Sequence, residues 1–77
     1  MLKPTTGFAA FIRAAWGNPA KVADVAFGEL FRHGDNVCLD HDDQVSYAKQ
    51  IGVLAGGMKD ASPETFIAAF EEKVLNG

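Results

Sequence analysis

The chain has 77 residues, a length that buries only roughly 60–65% of its unfolded surface and holds a single domain. Hydrophobic residues make up 48% of it and charged residues 22%, which excludes a disordered chain because such chains are poor in apolar side chains. The formal net charge of −3 argues against a nucleic-acid partner, which demands clustered Lys and Arg. We therefore expect one folded, acidic domain over residues 1–77.

One cysteine and one short apolar stretch indicate the cellular compartment of the protein. Cys38 is the sole cysteine, so no disulfide within the chain supports the small core, and a reducing compartment is expected. The apolar stretch from Gly7 to Ile12 is interrupted by Arg13, far short of the roughly 20 residues of a membrane span. We predict a cytoplasmic protein with no membrane association, and self-association as a homodimer to compensate for the small core.

The first half of the chain predicts two helices. The first covers about residues 5–16 and ends at Gly17, because large apolar residues recur there at helical spacing, namely Phe8, Phe11, Ile12, Ala15 and Trp16. Asn18 before Pro19 is a helix-start signal. The Asn side chain can cap the free N–H groups, and proline is tolerated at the first helical position because an N–H there has no partner within the helix. The second helix is predicted over 19–32.

The second half predicts a loop and two more helices. Residues 35–43 lack a helical period and are interpreted as a loop, with an extended segment at Val37–Leu39. A third helix is predicted over 42–55, stopped by Gly56 and Gly57, with Gly52 and Gly56 allowing a neighbouring helix to approach closely. Ser62 before Pro63 repeats the start signal, and the fourth helix is predicted over 63–75.

Four short helices in one unit predict an all-α domain with orthogonal or bundle-like packing, since no segment alternates apolar and polar residues as a strand does. The predicted core collects the largest apolar residues of three helical faces, which are Phe27, Leu30, Phe31, Ile51, Phe66 and Phe70.

A cluster of possible metal ligands precedes the third helix. It comprises His33, Asp35, Cys38, Asp40, His41, Asp42 and Asp43. The spacing matches neither a zinc module nor a calcium loop, where Ser46 and Ile51 would replace the required glycine and glutamate. Catalysis by Cys38 with His41 would need a sheltered cleft that a domain this small hardly holds. We expect no metal, no cofactor and no enzyme activity, and interpret the segment as a solvated acidic loop.

Two interpretations of function follow. Residues 1–34 carry a net charge of +2 and residues 35–77 a net charge of −5, which predicts an acidic face that orients a partner with a basic surface. Aromatic residues of the first helix add affinity or pack into the core. The favoured function is a regulatory protein-binding module, an adaptor or inhibitor, with a contact surface predicted at Phe8, Phe11, Trp16, Asp40, Asp42, Asp43, Glu71 and Glu72.

The alternative is a helix-turn-helix DNA-binding regulator. Ala48, Ile51, Gly52 and Val53 fall at the spacing that the small residue, the apolar residue and the turn glycine take in that motif. The helix that would follow offers only Lys59 as a base and runs into Pro63. The candidate DNA-reading segment also lies in the acidic half of the chain, which weighs against this alternative.

Overall fold

Four α-helices account for most of the residues that the computed structural model describes, which are 3–33 and 40–76. The elements, in chain order, are α1 (Phe8–Ala15), α2 (Pro19–Arg32), α3 (His41–Gly57), α4 (Pro63–Phe70) and a π-helical turn (Glu71–Leu75), named here the π-turn. These residues contain no strand. The predicted all-α fold is confirmed. The predicted loop and extended segment at Val37–Leu39 lie outside the described residues.

The two Asn/Ser-then-Pro signals start helices as predicted. Asn18 caps α2 by accepting a hydrogen bond from the Lys21 N–H at 3.3 Å. Ser62 caps α4 in the same way, its hydroxyl oxygen lying 3.2 Å from the Thr65 nitrogen. Each cap satisfies one of the N–H groups that a first turn leaves without a partner.

α1 is shorter than the predicted 5–16. Gly7 and Gly17 adopt left-handed backbone angles, with φ of 95° and 98°, and these angles interrupt the helix at both ends. Trp16 is already extended. The first helix therefore covers only Phe8–Ala15.

α3 continues past the predicted stop at Gly56 and Gly57. Neither glycine has a positive φ, so the left-handed residue that ends many helices is absent here, and the chain turns only after Met58. The predicted close approach at Gly52 and Gly56 is also wrong, because a Cβ added at either glycine would meet no atom within 4 Å.

The predicted fourth helix changes its hydrogen-bonding pattern after Phe70. Over Glu71–Leu75 it widens into the π-turn, and the Asn76 N–H bonds to the Glu71 carbonyl five residues back, at 3.1 Å. The consecutive residues Val74 and Leu75 both lie in the core. The widened turn therefore places two neighbouring apolar side chains in the core.

Most, but not all, of the predicted core is buried. Leu30, Ile51, Phe66 and Phe70 are buried, whereas Phe31 is 49% exposed. The placement of Phe31 in the core is therefore wrong. Phe27 packs partly against the core and holds Phe31 in an edge-to-face contact, with ring centroids 4.8 Å apart. The apolar face of α2 is wider than the part of the core that it contacts, so the Phe31 side chain is left at the edge of the core.

The helices enclose one hydrophobic core. α2 packs against α1 and α3, while α4 packs against α1 and more lightly against α3. The rings of Phe66 and Phe70 stack within it at 6.2 Å. No helix in the described ranges is long and apolar enough to cross a membrane.

Candidate functional site

The aromatic residues of α1 do not share one surface. Phe8 is only 3% exposed and packs its ring 5.3 Å from that of Phe70. Trp16 is half-buried against Phe66, and its indole N–H donates to the Ala61 carbonyl at 3.2 Å. Both side chains pack against rings of α4. Phe8 is therefore not available as a contact surface in this structure, whereas Trp16 keeps part of its side chain exposed.

Phe11 remains at the surface. Its side chain is 63% exposed and borders a groove of about 430 Å³ between α2 and the chain that leads into α1, named here the α1–α2 groove. Asp24 and Arg32 place opposite charges along it, and Gly28 leaves open space because no atom lies within 4 Å of where its Cβ would be. The groove therefore combines one aromatic side chain with charges of both signs.

Glu29 lies at the inner side of this groove and is the one buried charged residue among those described. Its Oε2 accepts from the Thr5 N–H at 2.6 Å and from His33 Nε2 at 2.9 Å, and its Oε1 accepts from the Thr5 hydroxyl at 2.7 Å. These bonds tie the N-terminal segment to α2.

The ionisation of Glu29 follows from these partners. Burial by itself raises the pKa of the carboxyl, but the hydrogen bonds from the Thr5 hydroxyl and N–H, together with His33, outweigh it. The pKa of Glu29 therefore lies below its ordinary value, and the side chain is a carboxylate at neutral pH. We assign it a structural role, because its oxygens are already committed to Thr5 and His33.

Sequence reasoning missed Glu29. A signal was present, because Val22, Ala26 and Glu29 recur at helical spacing and His33 follows Glu29 by one turn. An acid on the inward face of an amphipathic helix requires hydrogen-bonding partners. Thr5, which is 24 residues away in the chain, offered no comparable signal.

The acids predicted to form one face have several different local roles. Asp40 caps α3, its Oδ1 accepting from the Asp43 N–H at 2.9 Å. Glu71 lies 3.7 Å from the Lys3 ammonium. Asp42 and Glu72 are exposed and form no ion pair with another described residue. The acidic side chains that remain for a partner are therefore fewer than the charge count indicates.

Arg13 and Glu64 form the shortest exposed ion pair in the described ranges, at 2.8 Å between Nε and Oε1. The hydrogen bond from Arg13 lowers the pKa of the Glu64 carboxyl. This pair joins α1 to the first turn of α4, so Glu64 is already engaged within the chain.

The structure around α3 bears on two interpretations of the sequence, the helix-turn-helix motif and the metal site. Gly52, proposed as the turn of a helix-turn-helix, lies inside the continuous helix, so the motif has no turn at the required position. Of the possible metal ligands considered in the sequence, Asp35 and Cys38 lie outside the described residues. Among residues 3–33 and 40–76, no three His, Cys, Asp or Glu side chains are grouped so that they could hold a metal ion.

Comparison with known proteins yields no relative: no protein-family model, no curated protein and no solved structure matches the chain.

Proposed function

We propose that this protein is a small, non-enzymatic protein-binding module, an adaptor or inhibitor that acts in the reducing environment of the cytoplasm. Its contact surface centres on Phe11 and the α1–α2 groove. The exposure of Phe11 carries the proposal, since every other bulky apolar residue of α1 is buried. Large aromatic residues at the surface are typical of binding hot spots.

The acidic residues of the chain support a partner with a basic face, and the one base that borders the groove is Arg32. Asp24 borders the groove, and Asp40, Asp42 and Asp43 occupy the start of α3, where Asp42 is exposed. Exposed acids speed association with a basic surface and set its orientation more than they add affinity. Among the described residues Glu29 is the one buried carboxylate, and its engagement with Thr5 and His33 favours a structural rather than a catalytic use. A homodimer through Phe11 remains the competing form of the same proposal.

The proposal is tested with a tagged chain, capture of its partner from the source cell, and affinity measurement on the purified pair. Phe11→Ser should weaken binding by roughly 30-fold, the effect of losing a hot-spot side chain. Phe31→Ser is the matched control, because Phe31 is a half-exposed aromatic residue that does not line the groove. Equal losses in both variants would refute the assignment of the surface.

The acidic residues are tested by replacing Asp40, Asp42 and Asp43 together with asparagine. Asparagine caps a helix about as well as aspartate, so the fold should persist. We expect weaker binding and a flatter dependence on salt, because exposed charges are screened beyond about 8–10 Å. An unchanged salt dependence would remove the acidic face from the proposal. Sedimentation at micromolar concentration distinguishes the homodimer, since Phe11→Ser should then yield a monomer.

A further inference from the structure

A second groove lies where α3 meets the π-turn. It has a volume of about 390 Å³ and is lined by Lys49, Gln50, Val53, Leu54, Lys73 and Val74; we call it the lysine groove. Val53 is 75% exposed and shares the groove with Leu54 and Val74. Val53, Leu54 and Val74 form an apolar strip in this groove, and each wall contributes one lysine.

These two lysines belong, with Lys21, Arg32 and Lys59, to the bases that form no ion pair with a described residue. Lys3 and Arg13 are paired with Glu71 and Glu64, whereas Lys49 and Lys73 form no ion pair with a described residue. Neither lysine has an acid three or four residues away on its own helix, the spacing at which helical ion pairs form, so only an acid from another element could neutralise it. An otherwise acidic protein thus presents a local pair of unneutralised positive charges around an apolar strip.

The π-turn shapes one wall of the groove. By widening the helix, it buries Val74 while Lys73 stays at the surface. Such π-helical turns are rare and occur frequently at functional sites. The opposite wall, from Lys49 to Leu54, rises roughly 8 Å along α3. This length accommodates one or two turns of a docked helix.

We infer that the lysine groove binds an acidic amphipathic helix of a protein partner, with one or two aliphatic side chains seated on Val53 and Leu54 and carboxylates facing Lys49 and Lys73. The apolar strip matches the apolar face of such a helix, and the two lysines match its acidic flanks. The groove is opposite in sign to the acidic surface of the proposed function, so it defines a separate partner. A membrane surface fits less well, since interfacial helices carry several bases and this chain is acidic overall.

The probe is a labelled synthetic helix of about 15 residues, long enough to be helical in water, with leucines at helical spacing and glutamates beside them. Its binding is followed by fluorescence anisotropy. Lys49→Glu with Lys73→Glu should lower the affinity by at least about tenfold, the combined effect of two exposed ion pairs turned repulsive. Val53→Asp should lower it further. The neutral pair Lys49→Gln with Lys73→Gln should give an intermediate loss.

The matched control is Lys21→Glu with Lys59→Glu, which makes the same change in net charge at exposed lysines outside the groove. It should leave the affinity within about twofold, because those charges lie outside the contact. An equal loss in both pairs would show only non-specific attraction and overturn the inference. So would equal binding of a peptide with lysines in place of the glutamates, or the absence of binding at millimolar peptide.

Two further outcomes would also overturn it. Phosphatidylglycerol vesicles that bind the parent but not the groove variants, while the acidic peptide does not bind, would assign the groove to a membrane. Sedimentation showing a dimer that Val53→Asp dissociates would assign it to a second copy of the chain. Phe11→Ser should leave peptide binding unchanged, which separates this inference from the proposed function.

Discussion

Replacing Glu29 should destabilise the fold more than its position beside a surface groove suggests. Glu29→Ala removes three hydrogen bonds at 2.6–2.9 Å, two from Thr5 and one from His33. A hydrogen bond to a charged group contributes about 1.5–3 kcal/mol. Thr5 and His33 are only half-buried, so water replaces part of the loss. We expect the free energy of unfolding at pH 7 to fall by about 2–4 kcal/mol.

The destabilisation should depend on pH in a defined direction. The folded pKa of Glu29 is lowered, so the carboxylate stabilises the fold above its unfolded pKa of about 4.3. This contribution is lost as the pH falls through the folded pKa, because the protonated side chain no longer accepts the same bonds. The difference in stability between the parent and Glu29→Ala should therefore narrow below pH 4.

Urea denaturation followed by circular dichroism at pH 7 and pH 3 measures both effects. Thr5→Ala loses only the hydroxyl bond and should cost about 1 kcal/mol. Asp24→Ala, an exposed acid on the same helix, is the control and should stay within about 0.5 kcal/mol of the parent. If Glu29→Ala matches the parent at pH 7, or if its deficit is the same at pH 3, the role assigned to Glu29 is wrong.

Three further predictions concern the core, the caps and the glycines. Phe70→Ala should lower the free energy of unfolding by about 3–5 kcal/mol because the ring is fully buried, whereas Phe31→Ala should lower it by less than about 1.5 kcal/mol. Equal melting temperatures of the two variants would contradict the placement of Phe70 in the core and Phe31 at its edge. Asn18→Ala should cost about 1 kcal/mol by removing the cap of α2, which urea denaturation measures. Gly52→Ala should stabilise α3 by about 0.5–1 kcal/mol, since the added methyl group meets no atom. Gly17→Ala should destabilise the fold, because φ is 98° at that residue. A change of stability with the same sign in both variants would show that helix propensity and backbone angle do not govern these sites.

The surface residues show which parts of the candidate site can be predicted from the sequence. Phe11 was among the predicted contact residues, and it is exposed. Phe8 and Trp16 have the same apolar character and similar spacing, yet they pack against Phe70 and Phe66. Helical periodicity identifies a stripe, but the neighbouring helix decides which part of the stripe is covered. The lysine groove was not predicted at all, because its walls come from segments about 20 residues apart.

The sequence by itself determined the elements whose causes are local. The starts of α2 and α4 follow from a capping side chain and a proline within a few residues of the N–H groups they affect. Helix ends were less predictable, since Gly56 and Gly57 remain helical while Gly17 adopts a left-handed φ. A glycine permits a stop without requiring one, and the packing of the flanking residues selects between the two.

Only the tertiary structure decided which side chains meet across the chain. Glu29 accepts a hydrogen bond from Thr5, 24 residues away in the chain, and Arg13 donates one to Glu64, 51 residues away. Such contacts depend on how the helices cross, and the crossing is set by the summed packing of many apolar side chains rather than by any one pattern. The charge of −3 is a property of the sequence, but the location of two unneutralised lysines beside an apolar strip is a property of the fold.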